Sequence, residues 1–310
     1  MKLPRFFPMM LIAAACAPWV VSSAFAPGVF GQQSPGQSVP IQPGSGQTNP
    51  VQPGPATQNQ AIQNQSIQNQ TQAGAAPQGT PLPPPRPGFS FPAKQTLTYS
   101  VDWRVFPAAT ATVHLEANGP NERLTVNADT TGAINLLFHI SDKFQSTFDR
   151  EKGCTTEFDK QTVEGRRQIN STLKLDYGKG RAILDEKNLT TGQSKHLEAA
   201  IAPCLSDILT GVFYASSQMM EVGKSFEMPI VDLQKPVVVT MKVEGKEELK
   251  TPAGSFKTVR IQPTAEAGIV KNRGQIWIWY SDDDRHLPVQ MRARSFWGTI
   301  TIRLASIESK

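Results

Sequence analysis

The first 88 residues contain neither aspartate nor glutamate, and their only charges are Lys2, Arg5 and Arg86. Residues 89–310 therefore hold 28 basic side chains against 26 acidic ones, and the formal charge of +5 shrinks to about +2 there. A balance so near neutral excludes the broad positive field of a nucleic-acid binder. Cysteine is scarce, with three in all, and the four histidines, His114, His139, His196 and His286, are scattered. They show no i, i+4 pair and no Cys/His metal spacing, so each reads as an ordinary surface or core residue. The chain also lacks a G-x-S-x-G element, a P-loop and a dinucleotide fingerprint, so no cofactor is implied and nothing points to an enzyme of those kinds.

The chain opens with a basic start followed by a charge-free apolar stretch from Phe6 to Phe30. That pattern predicts a secretory signal over 1–31. Pro27 blocks the Ala24-Phe25-Ala26 site, and cleavage after Ala24 or after Gly31 avoids it. Ala13-Ala14-Ala15-Cys16 offers a second reading as a lipoprotein signal with Cys16 as the acylated residue. An uncleaved anchor is a third, opposed by Pro8, Pro18 and Pro27. All three readings put 32–310 outside the cytoplasm, periplasmic or extracellular, and membrane-anchored if Cys16 is acylated.

Residues 32–88 are Gln, Pro, Gly, Asn, Ser and Thr with hardly a large apolar side chain. Such a segment cannot bury enough surface to offset its ordering entropy, and it reads as a disordered linker. Pro81, Pro83, Pro84, Pro85 and Pro87 make its end a stiff polyproline stretch, usable as a tether, a docking motif or a plain spacer.

From Phe89 onward the apolar pattern has period two. Leu97, Tyr99, Val101 and Trp103 alternate with polar residues, as do Val113 and Leu115, and Ile300, Ile302 and Leu304. Gly178-Lys179-Gly180 and Thr251-Pro252-Ala253-Gly254 supply turns. The prediction for 89–310 is a single mainly β domain. It is a curved antiparallel sheet or partial barrel of about a dozen strands, with one or two short helices packed on it. One helix is predicted over 206–217 with Ser206 as N-cap, and a shorter one over 133–140. Ile276, Ile278 and Tyr280 share one face of a strand whose other face carries Trp277 and Trp279. Those two tryptophans are either plain core or the wall of an apolar ligand site.

Cys154 and Cys204, an even pair in an exported domain, predict a disulfide. A redox pair is the alternative, but there is no C-x-x-C. Asp282, Asp283 and Asp284 sit at a turn and lack the frame of an EF-hand, so no metal is expected. Asn170-Ser171-Thr172 falls inside a strand pattern and reads as a chance sequon.

Several segments resemble a known family in the right order. Leu97-Thr98-Tyr99-Ser100-Val101-Asp102-Trp103 followed by Ala108 to Val113 resembles its opening hairpin. Gly165-Arg166-Arg167 and the run Asp176 to Ala182 resemble its middle strands. Pro203-Cys204, Asp207-Ile208-Leu209 and Phe213-Tyr214 resemble its helix. Thr251 to Phe256, Trp279 to Asp283 and Leu287-Pro288-Val289 resemble its closing segments. Over roughly 93–308 the chain thus resembles the bacterial domain of unknown function 3108, departing at Ala108-Ala109, where Ala-Gly is usual. The resemblance implies an exported, β-rich envelope protein, with a likeness to the half-barrel of lipoprotein-carrier domains, and it supplies no catalytic residues.

Three functions fit these observations. The first is a non-enzymatic envelope protein holding a lipid or other apolar ligand on its curved sheet. The second is a structural or assembly factor engaging envelope proteins. The third, least favoured, is a glycan or lipid hydrolase. Membrane contact is expected only through an N-terminal anchor.

Overall fold

The computed structural model describes residues 79–232, 235–272, 274–295 and 298–309. The leader, Cys16 and most of the linker lie outside the described residues.

Two meanders make the sheet. The first is β1 (Lys94–Trp103), β2 (Phe106–Asn118), β3 (Asn121–Thr130), β4 (Ile140–Asp149), β5 (Thr155–Glu164), β6 (Arg167–Asp176), β7 (Arg181–Asn188) and β8 (Ser194–Ala200). The second is β9 (Ser225–Asp232), β10 (Lys235–Thr251), β11 (Gly254–Thr264), β12 (Gln275–Ser281), β13 (Pro288–Ser295) and β14 (Gly298–Ser309). Pairing of β1 with β14 joins them into one fourteen-stranded antiparallel sheet, with β8 and β9 at its two ends. The alternation in the sequence explains this architecture. In β3, Leu124, Val126 and Ala128 are buried while the residues between them are partly or fully exposed. In β4, Phe144 and Phe148 face the same core.

The sheet is strongly curled. Nine strand intervals separate β4 from β9 in the pairing order, about 43 Å along a flat sheet at roughly 4.8 Å per strand. A single short helix, α2 (Ile208–Tyr214), nonetheless packs against both. At about 1.5 Å per residue it is only about 10 Å long, so the two strands must be rolled towards each other. Irregularities at Thr98/Tyr99, Val101/Asp102, Thr147/Phe148, Val243/Gly245 and Trp279/Tyr280 supply local bending.

The sheet does not close by strand pairing. The connection before α2 spans the gap instead. The Thr155 N–H at the start of β5 donates to the Leu205 carbonyl, and Ser206 forms a parallel bridge to Ile230 in β9. The helix predicted over 206–217 is thus shorter, followed by a 3-10 turn at Ala215–Ser217. Its N-cap is Asp207 rather than Ser206. The Asp207 carboxylate accepts from the N–H groups of Leu209 and Thr210, whereas Ser206 serves the bridge and donates its hydroxyl to the Gly153 carbonyl. The expected short helix near 133–140 is α1 (Gly132–Leu137), ended by the extended Phe138. A third, α3 (Gly268–Asn272), has no counterpart in the reading of the sequence.

Residues 79–88, assigned by composition to the linker, lie against the domain. The Pro83 carbonyl accepts from the Tyr214 hydroxyl and the Gln218 amide, and Leu82 packs on the core. Arg86 donates to the carbonyls of Ser216 and Asp284, meets His286 Nδ1 at 3.0 Å and lies over the Phe89 ring.

Candidate ligand-binding site

Trp277 and Trp279 lie on the face of β12 away from the core, while Ile278 and Tyr280 face it. What covers Trp279 is polar. Its indole N–H donates to Glu247 Oε1 at 2.8 Å, and the Arg292 guanidinium lies 5.6 Å from its ring centre. Arg260 pairs with Glu244 at 2.9 Å and Glu247 at 3.1 Å, extending this lattice over β10 and β11. Trp277 is half-buried. On the inner side of the same strand the space is filled: Tyr280 is fully buried and its hydroxyl donates to the Val212 carbonyl on α2.

The inner wall is therefore largely apolar, and the connection 201–217, which packs on it, is pinned at two places. Cys154 and Cys204 form the predicted disulfide, with Cα atoms 5.1 Å apart, which ties the start of β5 to the approach to α2. The second pin is Asp207, with no exposed surface. Its Oδ1 accepts the helix N–H groups of Leu209 and Thr210, and its Oδ2 accepts hydroxyls from Ser146 on β4, Thr155 on β5 and Thr210. The Tyr214 ring lies over Gly153. Any side chain there would bring its Cβ within 2.4 Å of the ring, so the close approach needs glycine.

The apolar wall is interrupted at one end. Asp142 shares the inward face of β4 with Phe144, and Lys160 shares that of β5 with Phe158. Glu164 and Ser171 follow on the same face of β5 and β6, and all four are buried. Asp142 Oδ1 accepts the Val163 N–H at 3.0 Å. Its Oδ2 and the Ser171 hydroxyl make no hydrogen bond. Burial pushes the Asp142 carboxyl up to about 7, and nearby Glu164 adds to the rise. Glu122, buried on β3 beside Arg150 at 3.0 Å, is likewise pushed up by burial to about 7. Sequence reasoning missed these groups, although Asp142 and Lys160 stand in phase with the core phenylalanines of their own strands.

A carboxyl whose pKa is higher in the folded chain holds an extra proton there between about pH 4 and about pH 7. Its contribution to stability is full below that window and is lost as pH rises through about 7. The stability of the wild type relative to Asp142→Asn, from urea unfolding, is accordingly expected to fall between pH 5 and pH 8. A difference that stays constant across that range would contradict the account.

Outside the inner wall, a groove of about 480 Å³ crosses β5 to β8. It runs between the row Asp159, Thr172, Asp185, His196 and the row Gln161, Asn170, Lys187, Ser194. Thr172 donates to Asp159 at 2.6 Å, and His196 Nδ1 meets Asp185 at 2.6 Å. These polar walls do not suit an apolar ligand. Asp282 pairs with Lys246 and Asp283 with Arg285. Among the described residues no group of His, Cys, Asp and Glu side chains is arranged to hold a metal ion. Among them, too, no helix is long and apolar enough to cross a membrane.

The family described as "Protein of unknown function (DUF3108)" matches residues 98–305. No curated protein matches the chain. Three solved structures are similar over most of its length. One is a β-barrel-like protein of the domain of unknown function DUF1849 from Brucella abortus (10% identity, TM-score 0.47, covering 72% of this chain and 100% of that one). Another is a protein described as exported, with a YmcC-like fold, from Bacteroides fragilis (9%, TM-score 0.31, 71% and 99%). A third is described as a lipoprotein, from Parabacteroides distasonis (7%, TM-score 0.30, 70% and 97%). Likenesses this distant carry nothing about function.

Proposed function

The chain belongs to the DUF3108 family of unknown function, and from that premise we propose that it is an exported, non-catalytic cell-envelope protein that binds an amphiphile on the inner wall of its curled sheet. The observation that carries this reading is the pair of buried atoms without hydrogen bonds, Asp142 Oδ2 and the Ser171 hydroxyl, in a polar spot that they share with Lys160 and Glu164 at one end of a mostly apolar wall. A buried polar group left unpaired costs about 1–3 kcal/mol. Folded chains retain few such groups without a reason. The head of an amphiphile that donates to Asp142 and pairs with Ser171 would satisfy both, and its tail would lie along the apolar wall. The wall is covered by chain segments, 201–217 and 79–91 among them, so entry requires the displacement of covering segments rather than the parting of two sheets. Trp277 and Trp279, on the opposite face, would serve a ligand only from outside; the inner-wall reading does not use them.

The test is native mass spectrometry and solvent extraction of the full chain purified from an envelope fraction. One amphiphile per chain is expected, with lower occupancy in Asp142→Leu. A chain of bare mass and a lipid-free extract would sink the proposal.

A further inference from the structure

One end of the sheet presents apolar side chains with almost no cover. In the β1–β2 turn Val105 is 82% exposed, and Phe106 at the start of β2 is 58% exposed. On α1, Leu136 is 89% exposed and its neighbour Leu137 77%. Folding hides most large apolar residues, so two consecutive leucines this bare are unusual. The two elements belong to one patch. Ala109 pairs with Thr130 across β2 and β3, and the N–H of Thr131, the residue that begins α1, donates to the Ala108 carbonyl at 3.0 Å.

Two exposed arginines stand next to the apolar residues, with the acidic Asp129 and Glu266 also at this end of the sheet. Arg104 precedes Val105 directly, and the β5–β6 turn places Arg166 beside the exit of α1. There the Gly165 N–H donates to the His139 carbonyl at 2.7 Å and the Phe138 ring lies against Gly165. Lys271 on α3 and Glu266 ahead of it lie in the connection between β11 and β12 at this end. Exposed arginines thus flank the apolar residues on both sides.

We propose that this end docks on an anionic lipid bilayer, with Val105, Phe106, Leu136 and Leu137 entering the headgroup boundary and Arg104 and Arg166 meeting lipid phosphates. A protein–protein seat would need apolar area with a polar rim of matched shape. A bilayer needs only protruding apolar tips and positive charge. Both are here, at the end of a hairpin and on a short helix. The tips lie at the end of the sheet opposite the entry of the chain at Lys94. The inference stands whether or not the inner wall holds a ligand.

Vesicle co-sedimentation tests it with the full chain, using phosphatidylcholine vesicles with and without phosphatidylglycerol. Binding is expected to the anionic vesicles and to weaken as salt rises. Leu136→Glu combined with Leu137→Glu is expected to lower binding about tenfold or more, and Arg166→Glu to remove much of the preference for anionic lipid. These side chains are exposed, so thermal midpoints should stay near the wild type and show that the variants fold. Absence of vesicle binding at low salt, or equal binding by wild type and the leucine variant, would overturn the proposal. So would a concentration-dependent dimer abolished by the same leucine change, which would assign the patch to a second copy of the chain.

Discussion

Replacing Asp207 with alanine is expected to destabilise the folded chain by about 4 kcal/mol. The carboxylate has two jobs that no neighbour can take over. It caps α2 through the N–H groups of Leu209 and Thr210, a role worth about 1 kcal/mol. It also gathers the hydroxyls of Ser146, Thr155 and Thr210 on one oxygen, from two strands and the helix. Alanine leaves those donors buried, each at a cost of about 1–3 kcal/mol less whatever they recover from one another. Ser146 and Thr210 already lie 2.7 Å apart and can recover part of it. Asp207→Asn keeps the cap acceptor but turns a donor towards the hydroxyls, so its loss should fall between wild type and alanine. Urea unfolding would measure the series. A change below about 1 kcal/mol for alanine would show that the hub does not hold α2 on the sheet.

Removing the Cys154–Cys204 disulfide, by Cys154→Ala with Cys204→Ala, is expected to cost about 4 kcal/mol in the chain-entropy model. The bond closes a loop with a sequence separation of 50 residues, which contains β5 to β8. The same bond lies beside the Ser206–Ile230 bridge that links the connection to β9. Its loss should therefore loosen the gap between the sheet ends before the central strands. Hydrogen exchange should show faster exchange at Thr155, Ser206 and Val231, whose N–H groups bond across that gap, than at β1 and β14. Uniform acceleration across the whole sheet would contradict this picture.

The sheet itself was legible because burial on one face forces alternation, as Leu124, Val126 and Ala128 show. The disulfide was legible because two cysteines in the domain leave one pairing. The order of the sheet was not legible, because pairing of β1 with β14 is a contact between distant segments that alternation does not encode. The cap was placed one residue early. Ser206 and Asp207 are both good capping residues, and only the bridge to β9 decides which is free to cap. The polar spot went unseen because Asp142 and Lys160 look like ordinary strand polar residues. Their phase relative to Phe144 and Phe158 was the available signal. Trp277 and Trp279 drew attention by size, yet size does not reveal that Arg292, Arg260 and Glu247 would surround Trp279 on the outer face. The exposed leucines of α1 were likewise hidden, since a short helical segment with Ile134, Leu136 and Leu137 reads as packed until its surroundings are known.

The most direct measurement is a titration of the full chain with a lysophospholipid below its micelle concentration, followed by native mass spectrometry. The account predicts a saturable one-to-one complex that weakens in Asp142→Leu and is indifferent to Trp277→Ala. Absence of a complex throughout that range, with Asp142→Leu indistinguishable from wild type, would contradict it.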